Sequence, residues 1–166
     1  RNRVPADGES TGEIVLIAPW LTQGCLKDNH NSRQLWRGGY LHTGDGANQG
    51  PNGYFKITDR AKDVIKIAGE WVSSLELEDL IAQHATVSEV AVIGMPDDKW
   101  GERPLALVVS GESEPNEKEL VSFVKSFVDS GRLTRHAMML KVLVVDEIDK
   151  TSVGKIDKKL LRKKHL

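Results

Sequence analysis

Two periodicities alternate in the second part of this chain, and together they leave few ways to fold it. After Arg60, "VSEVAVIGM", "LALVVS" and "KVLVVDEI" are rich in β-branched residues, and "DVIKI" alternates apolar with polar. Two stretches with helical spacing lie among them. In "SSLELEDLIAQH", Leu77, Leu80 and Ile81 share one helical face, and Ser73 with Glu76 has the form of a capping box. "NEKELVSFVKSFVDSG" repeats the pattern. Asn116 and Glu119 would form its box, Leu120, Phe123, Val124 and Phe127 its stripe, and Gly131 its end. A stretch from about Lys155, with Ile156, Leu160 and Leu161 facing inward, reads as a last helix. The order strand, helix, strand, strand, helix, strand, helix predicts a compact α+β unit with helices packed on a mixed β-sheet. "PDDKWGERP" is expected to be a loop, and Gly69 a turn after "DVIKI".

Residues 1–59 have another texture. "EIVLIA", residues 13–18, reads as a buried strand. Pro51, Asn52 and Gly53 followed by "YFKIT" have the turn chemistry of a hairpin. The rest is rich in Gly, Asn, Asp and Trp, and no helix is expected before Asp59. Such a β-rich stretch cannot easily enclose a core by itself, so a boundary is expected near residues 59–62. The chain opens on Arg1 rather than Met, and it is expected to be a piece of something longer.

Composition narrows the function classes. A net charge of −1 over 166 residues creates no global field for nucleic acid. The single cysteine, Cys25, allows no intrachain disulfide, which fits a reducing compartment. The longest apolar run, "IVLIAPWL", contains Pro19 and is too short to span a bilayer, and no signal peptide is visible. A cytoplasmic location is the expectation. His30, His42, His84, His136 and His165 are scattered without metal-ligand spacing, so no metal site is expected. The tail 150–166 holds seven Lys or Arg against one acid, Asp157. An alternative reading is therefore a small module whose basic tail binds nucleic acid or an acidic membrane. No aromatic residue interleaves those cations for base stacking, and none anchors an interfacial helix.

Three stretches carry more specific chemistry. In "GYLHTGD", Asp45 follows a glycine and could accept hydrogen bonds from a diol such as ribose. "DRAKDVIKIAGEW" offers Arg60 as a fork donor, Lys62 and Lys66 as flexible cations, and Gly69 for close backbone approach. "DKTSVGKID" presents Lys155 after a glycine, but Asp149 stands where a P-loop needs its first glycine. Alone, each has an ordinary structural explanation. Their order and spacing are more specific.

With those segments in that order, the chain resembles the C-terminal third of AMP-forming acyl-activating enzymes. That family holds acyl-CoA synthetases, peptide-synthetase adenylation domains and beetle luciferases. "GEIVLIAPWLTQGCLKD", "YLHTGD", "GYFKITDRAKDVIKIAGEWVSSLELED" and "KTSVGKIDKKLLR" carry the resemblance over nearly the whole chain. It implies that residues 1–59 end a large N-terminal domain, 60–63 form a hinge, and 64–166 form a small lid. It implies that Asp45 and Arg60 reach the ribose of ATP, that Lys62 is the hinge position, and that Lys155 touches carboxylate and phosphate during adenylation. Lys66, Gly69 and Glu70 match the loop that lines the pantetheine tunnel in the second step, and Trp100 matches a position near coenzyme A. ATP/AMP and coenzyme A are the implied cofactors, with Mg²⁺ held mainly by the absent N-terminal region. A carboxylic acid, of fatty and medium-chain type, is the implied substrate. A peptide-synthetase-like adenylation domain is the alternative within the family, although the loop after Gly69 and Trp100 favours coenzyme A over a carrier protein.

Adenylation needs positive charge at the reacting phosphorus, and a lysine on a mobile lid can supply it and then leave. Two departures touch this face. Asp149 stands where the family usually has Pro, and His136, Ala137, Met138 and Met139 stand where Tyr-x-x-Pro is usual. Both changes are expected to loosen local rigidity. Lys158 and Lys163, in the same basic tail, are expected to be replaceable without effect.

Overall fold

The computed structural model describes residues 3–166. The chain divides into two compact units, one running up to Lys62 and one comprising Asp63–Leu166.

The first unit is a three-stranded antiparallel sheet in the order β1-β2-β3, from β1 (Thr11–Leu16), β2 (Leu41–Gln49) and β3 (Phe55–Arg60). The predicted hairpin joins β2 to β3. Gly50 N donates to Tyr54 O at 3.0 Å, and Gly53 takes φ 84°. Two expectations fail here. A helix, α1 (Asn29–Leu35), precedes Asp59. It has no buried residue, so no apolar stripe announces it. The Asp28 carboxylate caps it by accepting from Asn31 N at 3.0 Å. The strand at 13–18 is not buried. Val15, Leu16 and Ile17 are exposed, Ile17 to 72%. Among the described residues up to Lys62, Ala47 is the one buried apolar side chain.

The second unit is the predicted α+β sandwich. It contains β4 (Ile65–Ile67), β5 (Glu70–Val72), α2 (Ser74–Ile81), β6 (Val87–Asp97), β7 (Gly101–Ser110), α3 (Glu117–Asp129), β8 (Lys141–Val144) and α4 (Lys158–His165). Strands run in the order β5-β4-β7-β6, and β8 pairs parallel to β7, so the sheet is mixed. Alternate residues of β6 and β7 face opposite ways. Val90, Val92, Ala106 and Val108 join Leu77, Leu80, Ile81, Leu120 and Val124 from α2 and α3 in one core. Ala91, Ile93, Leu105 and Leu107 join Ile148 and Leu161 in a second core, which α4 covers. With helices on both faces, both sides of these strands are apolar, hence the runs "VAVI" and "LALVV".

Helix caps follow the sequence closely. Ser73 Oγ accepts from Glu76 N at 3.1 Å at the start of α2. On α3 the Asn116 side chain accepts from Lys118 N at 2.8 Å, so the cap engages the second helical residue rather than Glu119. The last helix starts at Lys158, not near Lys155, because Asp157 is its N-cap and accepts from Leu160 N at 3.0 Å. The expected loop at 96–104 shrinks to a tight turn between β6 and β7. Asp97 Oδ1 accepts from both Lys99 N and Trp100 N at 3.0 Å, and the strands pair up to Asp97↔Gly101. Pro104 falls in the gap on β7 between its pairing with β4 at Gly101 and with β8 from Leu105.

Candidate functional site

The candidate residues gather at three places. In the first unit, β2–β3 register sets Asp45 opposite Arg60. Arg60 Nε donates to Asp45 Oδ1 at 3.1 Å. The side chains are 55% and 32% exposed, so the pair contributes less than about 1 kcal/mol and opens readily to a ligand. The backbone before Asp45 is held from several sides. Gly44 takes φ 74°, its N–H donates to Glu13 Oε1 at 3.2 Å, and its carbonyl accepts from Ala61 N at 2.9 Å. Glu13 Oε2 lies 2.7 Å from His42 Nδ1. Burial raises the Glu13 pKa, but the hydrogen bonds from His42 and Gly44 outweigh it and hold the carboxyl below its ordinary value.

The second place is the turn between β4 and β5. Ile67 pairs with Glu70, and both Ala68 (φ 51°) and Gly69 (φ 87°) are left-handed, the signature of a type I′ turn. Ala68 was not singled out by the sequence. Its left-handed backbone costs about 1–2 kcal/mol. Docking offsets that strain: Ala68 N donates to Trp100 O at 2.8 Å, and Lys66 N to Glu102 Oε2 at 2.7 Å. Lys66, Gly69, Glu70 and Trp100 are thereby brought to one end of the sheet. A Cβ on Gly69 would meet nothing within 4 Å, so space lies open beside the turn. Trp71 and Lys99 join this end unannounced. Lys66 Nζ lies 6.0 Å from the Trp71 ring centroid and Lys99 Nζ 4.7 Å from that of Trp100.

Lys155 sits at the third place, on an exposed loop closed by the Lys150↔Ile156 bridge. Thr151 N donates to Lys155 O at 2.7 Å, Lys155 N to Thr151 Oγ1 at 3.2 Å, and Gly154 takes φ 78°. Among the described residues no carboxylate pairs with Lys155. Lys150 ties the loop to Glu89, at 2.7 Å, near the start of β6. The Gly69–Trp100 turn docks where β6 ends, at Asp97. Asp97 lies eight residues beyond Glu89 along the strand, roughly 26 Å at strand rise. The two anchors therefore lie at opposite ends of one sheet.

The segments that carry the departures at 136–139 and 149 are each held by hydrogen bonds. Residues 135–139 form a short 3₁₀ turn with Ala137 buried, and Arg103 Nη2 donates to Met139 O at 3.2 Å. Asp149 takes Lys164 Nζ at 2.6 Å, and its carbonyl takes Asp157 N at 2.9 Å. Lys62 is exposed in the turn between β3 and β4. Two surface hollows of about 690 and 850 Å³ lie in the first unit, and no candidate residue lines them. No cluster of three or more potential metal ligands occurs among the described residues, and no helix there is long and apolar enough to cross a membrane.

Residues 76–155 match the family described as "AMP-binding enzyme C-terminal domain". The 3-methylmercaptopropionyl-CoA ligase of Ruegeria lacuscaerulensis is 38% identical over 97% of this chain and 29% of its own length. The long-chain-fatty-acid–CoA ligase of Thermus thermophilus is 37% identical over 98% of this chain and, again, 29% of its own length. The ATP-bound structure of MatB from Rhodopseudomonas palustris superposes with a TM-score of 0.82 at 28% identity, over 96% of this chain and 31% of that one. The chain thus spans less than a third of the length of the relatives it matches.

Proposed function

We propose, from the match of residues 76–155 to the AMP-binding enzyme C-terminal domain family, that this chain is the C-terminal part of an ATP-dependent acyl-CoA ligase. In this reading Asp63–Leu166 is the lid and the residues up to Lys62 finish the large domain. The observation that carries the reading is the separation of two candidate sites at opposite ends of one sheet. An exposed lysine with no carboxylate partner among the described residues marks one end, and a strained, aromatic-flanked turn with open space marks the other. A lid that turns about residues 60–63, with Lys62 at the pivot, can present each end in turn to a single site.

Each end suits one half-reaction. During adenylation a carboxylate oxygen attacks the α-phosphorus of ATP and pyrophosphate leaves. The Lys155 ammonium offsets the negative charge that gathers on the phosphoryl oxygens and draws the carboxylate into line. Asp45 and Arg60 hold the ribose hydroxyls, where the Asp45 carboxylate accepts and the guanidinium donates. In the second step the thiol of coenzyme A displaces AMP from the acyl-adenylate. The turn at Gly69, flanked by Lys66, Glu70 and Trp100, gives the thin pantetheine arm a narrow path. Mg²⁺ would be met by triphosphate oxygens and by the preceding region rather than by residues of this chain. The acid is chosen elsewhere: two relatives of nearly equal identity are named for different acids, a methylmercaptopropionate and a long-chain fatty acid. We place the acid among the fatty acids, medium-chain included.

The test is Lys155→Ala in the full-length enzyme. Pyrophosphate release should fall by about 10²–10³, the usual loss for one such charge-stabilising group. Thioester formation from supplied acyl-adenylate and coenzyme A should stay near normal, and Lys163→Ala should be silent in both assays. Equal damage from Lys155→Ala and Lys163→Ala would mean that the tail acts as diffuse charge and that Lys155 has no special role.

A further inference from the structure

Lys158 was expected to be a dispensable cation of a basic tail, but the structure encloses its side chain rather than leaving it in solvent. Its side chain is only 10% exposed. Its Nζ lies 2.8 Å from Glu78 Oε1 and donates to Ser74 Oγ at 2.6 Å. Glu78 is itself 11% exposed and Ser74 is fully buried. The same Glu78 oxygen accepts from Val92 N at 2.7 Å. One buried ammonium therefore joins α4 to the first turn of α2 and, through Glu78, to the middle of β6. Lysine is almost never buried unless paired, and a buried ion pair is weak evidence for stability, because an apolar pair of like volume often serves as well. What such a pair does supply is one defined geometry.

That geometry bears on Lys155. Only Ile156 and Asp157 separate it from Lys158. Ile156 packs on the second core, Asp157 N donates to Asp149 O, and the Asp157 carboxylate caps α4. On the far side the loop is fixed by Lys150 on Glu89. The backbone at Lys155 thus springs from two roots, and Lys158 is the buried fastening of the second. We propose that Lys158, through Glu78 and Ser74, is a positioning residue that aims the Lys155 ammonium during adenylation. This rests on the role given to Lys155 above.

The experiment compares Lys158→Met, Lys158→Arg, the double variant Glu78→Gln/Lys158→Met and Lys155→Ala in the full-length enzyme. Lys158→Met should lower kcat for pyrophosphate release by about 10–100-fold, the scale of a misplacement near 1 Å. KM for ATP should move by no more than about twofold, and thioester formation from supplied acyl-adenylate should be unchanged. Lys158→Arg, which can still reach Glu78, should recover most of the lost rate. The double variant leaves no unpaired buried charge, so it should fold even where Lys158→Met does not, and it should show the same loss. The proposal is overturned if adenylation survives in the double variant while Lys155→Ala abolishes it. It is equally overturned if both half-reactions fall together, as a loss of folded protein would make them. If Lys155→Ala itself leaves adenylation intact, the role of Lys155 fails first and the positioning role goes with it.

Discussion

Lys155 and Lys158 stand three residues apart in one basic run, and the fold makes them opposites, one exposed and one enclosed. Composition cannot separate them, since every cation in the tail counts alike. Helical geometry could have: Lys158 shares the face of α4 that carries the buried Leu161 and the half-buried Arg162, whereas Lys159 and Lys163 point outward. Gly69 is the reverse case, legible because a left-handed turn after an alternating strand calls for glycine. What the sequence did not reveal is its neighbour Ala68, whose strained φ is held by the contact with Trp100, 32 positions away. A consequence can be measured at Gly69. An added methyl meets no atom within 4 Å, so Gly69→Ala should lower the stability of the second unit only by the backbone term, about 1–2 kcal/mol, in urea unfolding. On the function proposed above, it should slow thioester formation more than adenylation in the full-length protein. A larger stability loss would show that the turn is more tightly enclosed than its open flank suggests.

At the level of elements, α2, α3, β6 and β7 were readable because period and burial agree. Each carries an apolar stripe or an apolar run, and each packs on another element. The element that escaped, α1, has a single aliphatic residue, Leu35, and survives on local hydrogen bonds instead. Its Asp28 cap predicts a pH response. The backbone N–H of Asn31, and then its side chain, hold the Asp28 carboxyl below the ordinary 3.8. With the folded-state pKa depressed, the stabilisation is complete above that ordinary value and is lost as pH falls through the lower one. Backbone carbon shifts of residues 29–35 should therefore lose helical character between about pH 4 and pH 2. Those of 74–81, capped by the non-titrating Ser73, should hold over the same range. Equal fraying of both helices would mean global acid unfolding rather than loss of one cap. The strand misread as buried, β1, has a different cause. An apolar run reports the surface it will meet, and among the described residues nothing covers Ile17 or Trp20, the latter 83% exposed.

Across the whole chain the two units are unequal in their means of holding together. The second has two cores built from its own residues, and the first has Ala47. Expressed alone, Asp63–Leu166 should melt cooperatively, and the full 166-residue chain should show strong amide protection only in that part. If the residues up to Lys62 finish a larger nucleotide site, as proposed above, the 166-residue chain should also release no pyrophosphate from ATP and a fatty acid. Uniform protection up to Lys62, or measurable turnover, would show that the first unit is already complete. One contact sets a further property of the second unit. Arg162 Nη2, in its last helix, lies 2.9 Å from Oδ1 of Asp63, its first residue, close enough for an ion pair though not aligned as a hydrogen bond. The beginning and end of the unit therefore meet, and a chain whose ends meet can be cut and rejoined elsewhere. Joining Leu166 to Asp63 through a short linker and opening the backbone in the exposed 111–114 connection would give a circular permutant with the same sheet. The unit is thus a cassette that evolution or an engineer could splice into a host loop through a single pair of adjacent seams.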